Sequence, residues 1–391
     1  MMNFVDSFFD RWMKPVEKLP VGIYQYQSPP ETEPHYRLHL RVEADGRGIL
    51  ILNAHTVMHL NQTAAEYAYY WMLQIPEADV VRNIGKRYRM NRDQIRKDFL
   101  GFKEQIETMV VTTDIDPVTY LGFDREEPYP ADLSSPYRLD CAITYETTAG
   151  DQKSAPNQRV SKELTFDEWK AVLEKTWAAG VPHVIFTGGE PTLRPDLPDL
   201  IAVTQQIGQV SGLLTDGARL TEAGYLNDLL QRGLDHIMIV LDAGQENIWQ
   251  AVKLTLAEDI HLTVHLTIDR ADLQHWEKTI TRLAEMGVYA LSLSAASPSY
   301  KETLTRAHHL AAEKGMHLVW DLPVPYSHIN PVSLEDEEEI QKVDGAGKAW
   351  LYIEPDGDVL PRQGEADNVL GNILNDPWES VWEKAKSLFS A

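Results

Sequence analysis

Five acidic residues follow predicted strands between residues 183 and 321: Glu190, Asp216, Asp242, Asp269 and Asp321. If these strands form a barrel, their carboxyl ends share one face, where carboxylates could bind a hard divalent cation. His265 lies near them, and His261 shares its face by the period of two that strands follow. The pattern would suit a metal-dependent hydrolase or lyase, but acids at such positions more often close turns and cap helices.

Residues 186–193 read FTGGEPTL and form the most specific pattern in the chain. Two glycines let the backbone approach a ligand closely, and the acid that follows them can bind a polar or cationic group. The string Gly188-Gly189-Glu190-Pro191 resembles the GGEP motif of the radical S-adenosylmethionine (SAM) superfamily, which binds the amino group of SAM. The sequence RPDL at 194–197 extends the resemblance.

Two later strand ends resemble the same family. Residues 213–217, LLTDG, are similar to its TNG turn after the third strand, with Asp in place of Asn. Residues 233–236, GLDH, and 240–244, VLDAG, resemble its fourth unit. The resemblance extends over roughly residues 136–320. It implies that SAM would be bound by Gly188, Gly189, Glu190, Pro191, Thr215, Asp216 and Asp242.

The resemblance ends where the family binds its iron–sulfur cluster. Active members carry three cysteines spaced C-x3-C-x2-C after the first strand, whose thiolates bind a 4Fe–4S cluster. Aligned on Ile143-Thr144, these positions hold Thr147, Asp151 and Ser154, and the single cysteine of the chain is Cys141. We therefore expect no 4Fe–4S cluster, no catalytic residues for radical chemistry and only weak SAM binding, since the cluster helps to hold the amino-acid end of SAM.

Strands and helices alternate through residues 137–325. The predicted strands are 138–145, 183–186, 210–214, 236–241, 261–268, 290–294 and 317–320, with helices between them. This spacing is typical of βαβ units and a parallel sheet. Six or seven such units predict an α/β fold, a full or partial (β/α) barrel of the TIM type, with its chemistry at the carboxyl ends of the strands.

The regions before residue 137 have different residue patterns from the alternating segment at 137–325. Residues 1–112 show an alternating hairpin at 36–53 and helical periodicity at 63–73, 77–88 and 92–110, which predicts a small winged helix-turn-helix-like domain. That domain resembles the peptide-chaperone fold called the RiPP recognition element, which would bind a leader peptide along a strand edge. The proline- and acid-rich residues 113–136 predict a linker.

Residues 326–391 are predicted to form a C-terminal extension. The sequence WLYIEPDGDVLP at 350–361 is similar to the SPASM or twitch extension of radical SAM enzymes that modify peptides. Pro361-Arg362 stands where that family has Pro-Cys, so no auxiliary cluster is expected there either.

Composition narrows the range of partners. The net charge of −23 would repel a nucleic acid or an anionic membrane surface, and a basic peptide or protein face is a better match. No apolar run approaches the ~20 residues that cross a bilayer, and the N-terminus lacks the features of a signal peptide, so a cytoplasmic location is expected.

These patterns together predict a catalytically degenerate radical SAM-like protein, a pseudoenzyme of a peptide- or cofactor-maturation system. Its partners would be a precursor peptide or an active radical SAM homologue. Two alternatives stay open. One is a radical SAM peptide maturase whose cluster ligands come from elsewhere, and the other is a metal-dependent enzyme that reuses the barrel mouth.

Overall fold

Two units make up the chain in the computed structural model, Met1–Glu127 and Pro128–Ala391. The structure describes residues 19–29, 31–53, 56–88, 90–112, 133–148, 159–319 and 345–388. Predictions made for Asp151, Ser154, Asp321, most of the linker and residues 326–344 lie outside these ranges.

The N-terminal unit contains an antiparallel sheet of four strands in the order β1-β2-β3-β4. The strands are β1 (Gly22–Gln27), β2 (Arg37–Val42), β3 (Gly48–Leu52) and β4 (Thr56–Leu60), and the helices are α1 (Gln62–Met72), α2 (Glu77–Tyr88) and α3 (Arg92–Val111). The predicted hairpin is β2–β3, and β1 and β4 extend it on either side. Asn61 begins α1, and its side chain accepts a hydrogen bond from the Ala64 N–H at 2.9 Å.

The second unit alternates strand and helix as predicted. Its strands are β5 (Arg138–Thr144), β6 (His183–Gly188), β7 (Val210–Thr215), β8 (His236–Val240), β9 (His261–Ile268), β10 (Ala290–Ala295) and β11 (His317–Leu318). The helices between them are α4 (Phe166–Ala178), α5 (Leu197–Ile207), α6 (Tyr225–Gln231), α7 (Glu246–Thr255), α8 (Leu273–Glu285) and α9 (Lys301–Glu313). Short 3₁₀ turns follow β6 (Pro191–Leu193), β7 (Ala218–Thr221) and β10 (Pro298–Tyr300).

Each of the strands β5 to β10 pairs in parallel with the next strand along the chain. Within the described residues the sheet does not close on itself, because β11 has β10 as its one neighbour. Over the described residues, the sheet therefore corresponds to the partial form of the predicted barrel. The carboxyl ends of the strands share one face, as the sequence required for a common site.

The C-terminal segment extends the same sheet at β5. Strand β12 (Trp350–Ile353) pairs with β5 in parallel, and β13 (Asp358–Leu360) and β14 (Gly371–Asn372) continue in antiparallel pairs. Helix α10 (Trp378–Ser387) follows, with Trp378 and Trp382 buried. Across the described ranges, no helix is both long and apolar enough to span a membrane.

Candidate functional site

The Gly188-Gly189 pair lies directly against the chain that leaves β5. A Cβ on Gly188 would stand 2.0 Å from the Thr144 carbonyl oxygen, and one on Gly189 would stand 2.1 Å from that of Glu146. The Gly189 and Glu190 N–H groups donate to these same carbonyls at 2.8 and 2.7 Å. The close approach predicted from the glycines is thus made by the neighbouring strand end, which continues the β5–β6 pairing by two further hydrogen bonds.

Glu190 is 2% exposed, and its carboxylate accepts four hydrogen bonds from the protein itself. Its Oε1 accepts from the Thr192 N–H at 2.9 Å, the Thr192 hydroxyl at 2.5 Å and the Thr215 hydroxyl at 2.8 Å. Its Oε2 accepts from the Asp216 N–H at 2.6 Å. Glu190 therefore joins the turn after β6 to the turn after β7, and Oε1 has no lone pair to spare for a ligand.

Opposing effects act on the pKa of Glu190. Burial and the nearby Asp216 carboxylate raise its pKa, while the hydrogen bonds from Thr192 and Asp216 lower it. Burial is the largest effect, and the pKa is raised from 4.5 to about 8. Burial thus outweighs the hydrogen bonds, and the carboxyl group holds its proton to a higher pH than a free glutamic acid does.

Thr215 ends β7 and bonds to Glu190, and Asp216, directly after it, contacts both Glu190 and the loop after β5. The Asp216 carboxylate accepts from the Thr148 hydroxyl at 2.7 Å and from the Ala218 N–H at 2.9 Å. Thr147, the first of the three aligned cysteine positions, is half-buried beside Thr148. The structure thus brings together the GGEP turn, the TDG turn and the start of the loop that lacks its cysteines.

The other predicted acids form turns. The Asp242 carboxylate accepts from the Gly244 N–H at 2.9 Å and from the Gln245 side chain at 2.8 Å, which closes the turn before α7. Asp269 pairs with Arg270, whose hydrogen bond lowers the pKa of the Asp269 carboxyl. Among the residues that the structure describes, no three His, Cys, Asp or Glu side chains converge to hold a metal ion. This geometry favours the interpretation of these acids as turn and cap residues.

A separate polar network surrounds His265 on β9. Its Nδ1 lies 3.0 Å from the Ser292 hydroxyl, and its Nε2 lies 3.2 Å from that of Thr267 and 3.0 Å from that of Ser294. The ring is fully buried, and this burial lowers its pKa to about 3. His265 is therefore a neutral imidazole that donates from one nitrogen and accepts at the other, and it would be a weak general base.

Two contributors to the site were not recognised from the sequence. Arg194, in the RPDL string, donates from one nitrogen to the carbonyls of Ile143 and Leu164, both at 2.9 Å, and so holds the end of β5. Glu354, beside the Pro-Asp-Gly turn, accepts from the Tyr145 hydroxyl at 2.9 Å and pairs with Arg159 at 2.6 Å. The one signal for Glu354 in the sequence is an acidic residue directly after an apolar run. Its burial and its partners, which lie far away along the chain, are visible only in the structure.

The side chains at the aligned ligand positions do not fit a 4Fe–4S cluster. Thr147, Asp151 and Ser154 offer two hydroxyls and one carboxylate, whereas such clusters are held by thiolates. Cys141 is fully buried on β5, between Asp140 and Ala142, and burial raises the pKa of its thiol. Arg362, at the auxiliary position, pairs with Glu365.

The groups that would hold SAM fit it in part. Backbone amides of Gly189 and Glu190 are used within the sheet, and the Glu190 carboxylate is used by neighbouring turns. Thr187 differs, because its hydroxyl is buried and has no hydrogen-bond partner in the described part of the chain. A polar ligand at the strand ends would supply that partner.

Comparison with known proteins gives a consistent result. The family profile of the Radical SAM superfamily matches residues 141–294. The PqqA peptide cyclase of Streptomyces rochei is 26% identical over 255 residues, which cover 59% of this chain and 70% of that protein. The PqqA peptide cyclase of Gluconobacter oxydans (strain 621H) is 34% identical over 233 residues, which cover 52% of this chain and 63% of that protein.

Solved structures are similar over more of the chain. Streptococcus suis SuiB bound to precursor peptide SuiA superposes with a TM-score of 0.57 at 15% identity and covers 88% of this chain and 86% of SuiB. SuiB bound to S-adenosylmethionine gives a TM-score of 0.55 at 14% identity, over 92% and 88%. At these identities the likeness concerns the fold. The alternating strands and helices, the GGEP turn and the profile match agree, and the chain carries a radical SAM domain over residues 141–294.

Proposed function

We propose that this chain binds a precursor peptide, or an active radical SAM partner, and performs no radical chemistry itself. The observation that carries the proposal is the donor set after β5. Thr147, Asp151 and Ser154 replace the three thiolates, and the one cysteine, Cys141, is buried within the strand. Without a cluster no electron can be delivered to SAM, since that chemistry belongs to the cofactor.

Protein groups hold the described chain on both sides of this loop. On one side, the Thr144 hydroxyl and the Tyr145 N–H donate to Glu163 at 2.8 and 3.0 Å. On the other side, Arg159 pairs with the buried Glu354. These bonds need no metal, which supports a barrel mouth that is stable without a cluster.

The N-terminal unit supports the peptide-binding role. Within the described residues β1 and β4 are each paired on one side, and an extended peptide can add to such an edge through backbone hydrogen bonds. The resemblance to the RiPP recognition element is carried by residues 51–64 and the helices after them, and β4 is the edge strand that lies within it, so β4 is the edge that we assign to the peptide. PqqA peptide cyclases are sequence relatives of the barrel, and SuiB has been solved with its precursor peptide.

The radical SAM domain also supports a surviving SAM site, at Gly188, Gly189, Glu190, Pro191, Thr215, Asp216 and Asp242. Among these, Asp216 and Asp242 are partly exposed and each accepts two hydrogen bonds from the protein, while Glu190 is buried and its carboxylate accepts four. We therefore expect SAM to bind weakly.

The first test is the iron and sulfide content after anaerobic reconstitution, with calorimetric SAM titration of the same sample. We expect no stoichiometric iron. The matched control is the triple variant T147C/D151C/S154C, which restores C-x3-C-x2-C and should take up iron and tighten SAM binding. Stoichiometric iron in the wild-type chain would refute the non-catalytic proposal.

Such an outcome would favour the second candidate, a peptide maturase with cluster ligands from a partner chain. The sequence relationship to PqqA peptide cyclases is the observation in its favour.

Peptide binding is tested separately with a phage-displayed library of 20-residue peptides. Proline in a strand removes a backbone donor and blocks pairing, so Val57→Pro and Met58→Pro together probe the β4 edge whichever residue faces outward. The same changes at Ile23 and Tyr24 of β1 are the controls. Equal enrichment of peptides by all variants would refute the assignment to β4.

A further inference from the structure

Basic residues concentrate at one corner of the N-terminal unit, where the chain passes from helix α2 to helix α3. Residues 82–97, RNIGKRYRMNRDQIRK, contain seven arginines and lysines and a single acid, although the whole chain has a net charge of −23. The described basic side chains of this segment form what we call the basic corner: Arg82, Lys86, Arg87, Arg92, Arg96 and Lys97. Charges more than about 8–10 Å away are largely screened, so a partner at this corner meets a positive surface.

The basic corner is only partly neutralised by the protein. Three of its arginines form ion pairs with acids of the same unit, at 2.5–2.7 Å: Arg82–Asp79, Arg87–Glu66 and Arg96–Glu77. The side chains of Lys86, Arg92 and Lys97 are exposed, and none of them forms an ion pair or hydrogen bond within the described residues. In a chain with 59 acidic residues, three neighbouring cations without a partner mark a place where an outside anion would bind favourably.

Helix stability does not account for the basic residues of α3. The N-terminal end of a helix carries a partial positive charge, so acids stabilise it there and bases destabilise it. Arg92 is the first residue of α3, and Arg96 and Lys97 lie in the second turn, whereas the exposed acids Glu104 and Glu107 lie in the second half. This order is the reverse of the one that suits the helix, which leaves contact with a partner as the reason for it.

The size of the basic corner suits a short acidic segment better than a long polyanion. Lys97 and Glu104 are seven residues apart in α3, which is about 10 Å along the helix. On the other side, α2 begins with the acids Glu77 and Asp79 in its first turn. A nucleic acid carries a phosphate at every step, so a duplex on this corner would extend over these acids as well. A peptide with a few neighbouring acids would contact the basic side chains and end before the acidic ones.

The basic corner is held near the edge strand that we assign to the peptide. Helix α1 follows β4 directly, with Asn61 as its cap, and Glu66 lies about one turn into this helix. Glu66 is buried, and its carboxylate accepts from the Tyr88 hydroxyl and pairs with Arg87, both at 2.7 Å. The last turn of α2 is thereby fixed close to the end of β4 at Leu60.

We propose that the basic corner binds an acidic segment of the partner peptide, next to the part of the peptide that pairs with β4. A 20-residue peptide spans up to about 65 Å when extended, which is enough to contact both places at once. This inference rests on the peptide-binding role of the proposed function. It replaces the expectation of a basic peptide, which followed from the net charge of the whole chain, because the local charge is the one that the peptide meets.

The test repeats the selection from the 20-residue peptide library on three proteins. They are the wild type, the double variant R92E/K97E, and the matched control K301E/K314E. Lys301 and Lys314 are exposed at the two ends of α9 in the second unit, and their replacement changes the net charge equally. We expect the wild type and the control to enrich peptides with an excess of Asp and Glu, and R92E/K97E to lose this preference.

Affinity is then measured by fluorescence anisotropy with the peptide that the wild type enriches most. A copy of that peptide, with every Asp and Glu replaced by Asn or Gln, serves as the neutral probe. We expect R92E/K97E to bind the acidic peptide roughly tenfold more weakly than the wild type, because two exposed attractions become repulsions, and to bind the neutral copy equally well. Raising the salt from about 50 mM to about 500 mM should weaken the acidic peptide more than the neutral one.

Thermal unfolding without peptide gives an independent readout. R92E/K97E should unfold at the same temperature as the wild type or a few degrees higher, because acids suit the N-terminal end of α3. An unfolding temperature below that of the wild type, or equal losses for the acidic and neutral peptides, would give the corner a structural role and overturn the inference.

The remaining outcomes separate the two proposals. If R92E/K97E enriches peptides as acidic as those of the wild type, the basic corner does not bind them, and the assignment to β4 is judged by its own proline variants. If a DNA duplex of 20 base pairs displaces the acidic peptide at equal concentration, the corner is a nucleic-acid surface and the inference is wrong. If the wild type enriches no peptide, the peptide-binding role and this inference both fail.

Discussion

Glu190→Gln tests whether burial or hydrogen bonding decides the charge at the barrel mouth. The folded protein raises the pKa of Glu190 from 4.5 to about 8, with burial as the largest cause and Asp216 next. Between these two values the folded chain keeps a proton that the unfolded chain has lost. Stability must then fall as the pH rises through this window, by about 1.4 kcal/mol per pH unit, and level off above about pH 8.

Glutamine keeps the shape of Glu190 and removes the ionisation. It also turns one oxygen into an amide donor, which can no longer accept from the Asp216 N–H, at a pH-independent cost of about 1–3 kcal/mol. The wild type loses stability over this range while the variant does not, so we expect the unfolding free energy of the wild type minus that of E190Q to fall by about 2–3 kcal/mol from about pH 6 to pH 8.

Urea unfolding of both proteins from about pH 5.5 to pH 9 measures this difference, with the barrel followed by its tryptophan fluorescence. Glu302→Gln on α9, where the carboxylate is exposed, is the control and should change little with pH. A difference between wild type and E190Q that stays constant over the whole range would refute the reasoning. Glu190 would then be ionised throughout, and its four hydrogen bonds would outweigh burial.

Three further predictions concern the same region. Gly189→Ala places a methyl group against the Glu146 carbonyl and should lower the unfolding free energy by about 3 kcal/mol in urea titration. The control is Gly101→Ala in α3, which has open space around it and should be neutral or stabilising by about 0.5–1 kcal/mol. Arg194→Ala removes two charged hydrogen bonds to carbonyls and should lower the urea midpoint, equivalent to about 3 kcal/mol; an unchanged midpoint would show that the end of β5 is held by other contacts. The pKa of His265 is lowered to about 3, so the unfolded chain binds the proton first, and stability should fall as the pH drops from about 6.5 toward 4. His265→Asn should reduce this acid sensitivity, and equal acid sensitivity in both proteins would contradict a neutral, buried ring.

Much of the fold follows from local pattern. The alternation of apolar strands with helical segments predicted strands β5 to β11 in their order, because each βα unit buries its own apolar face against its neighbours. Strands β1 and β4 were not predicted. β1 reads GIYQYQ, whose tyrosines and glutamines carry no clear apolar alternation, and its place is decided by pairing with β2.

The candidate site shows the same division. The sequence placed Gly188, Glu190 and Asp216 at neighbouring strand ends, since parallel strands bring their carboxyl ends to one face. It could not show that Glu190 is bonded to the turn after β7, because that contact joins segments 25 and 26 residues apart. It also could not show the bond between Tyr145 and Glu354, which lie 209 residues apart.

The amino-acid sequence by itself determined which atoms this protein has for chemistry. Its single cysteine, and the hydroxyls and carboxylate at 147, 151 and 154, are properties of residue type that no folding can change. The tertiary structure decided which of those atoms are free to act. Burial and long-range hydrogen bonds engage Glu190 and make His265 neutral, while Thr187 is left as a buried hydroxyl without a partner in the described residues. Hydrogen bonding and desolvation depend on groups brought together from distant parts of the chain, and sequence spacing alone does not encode them.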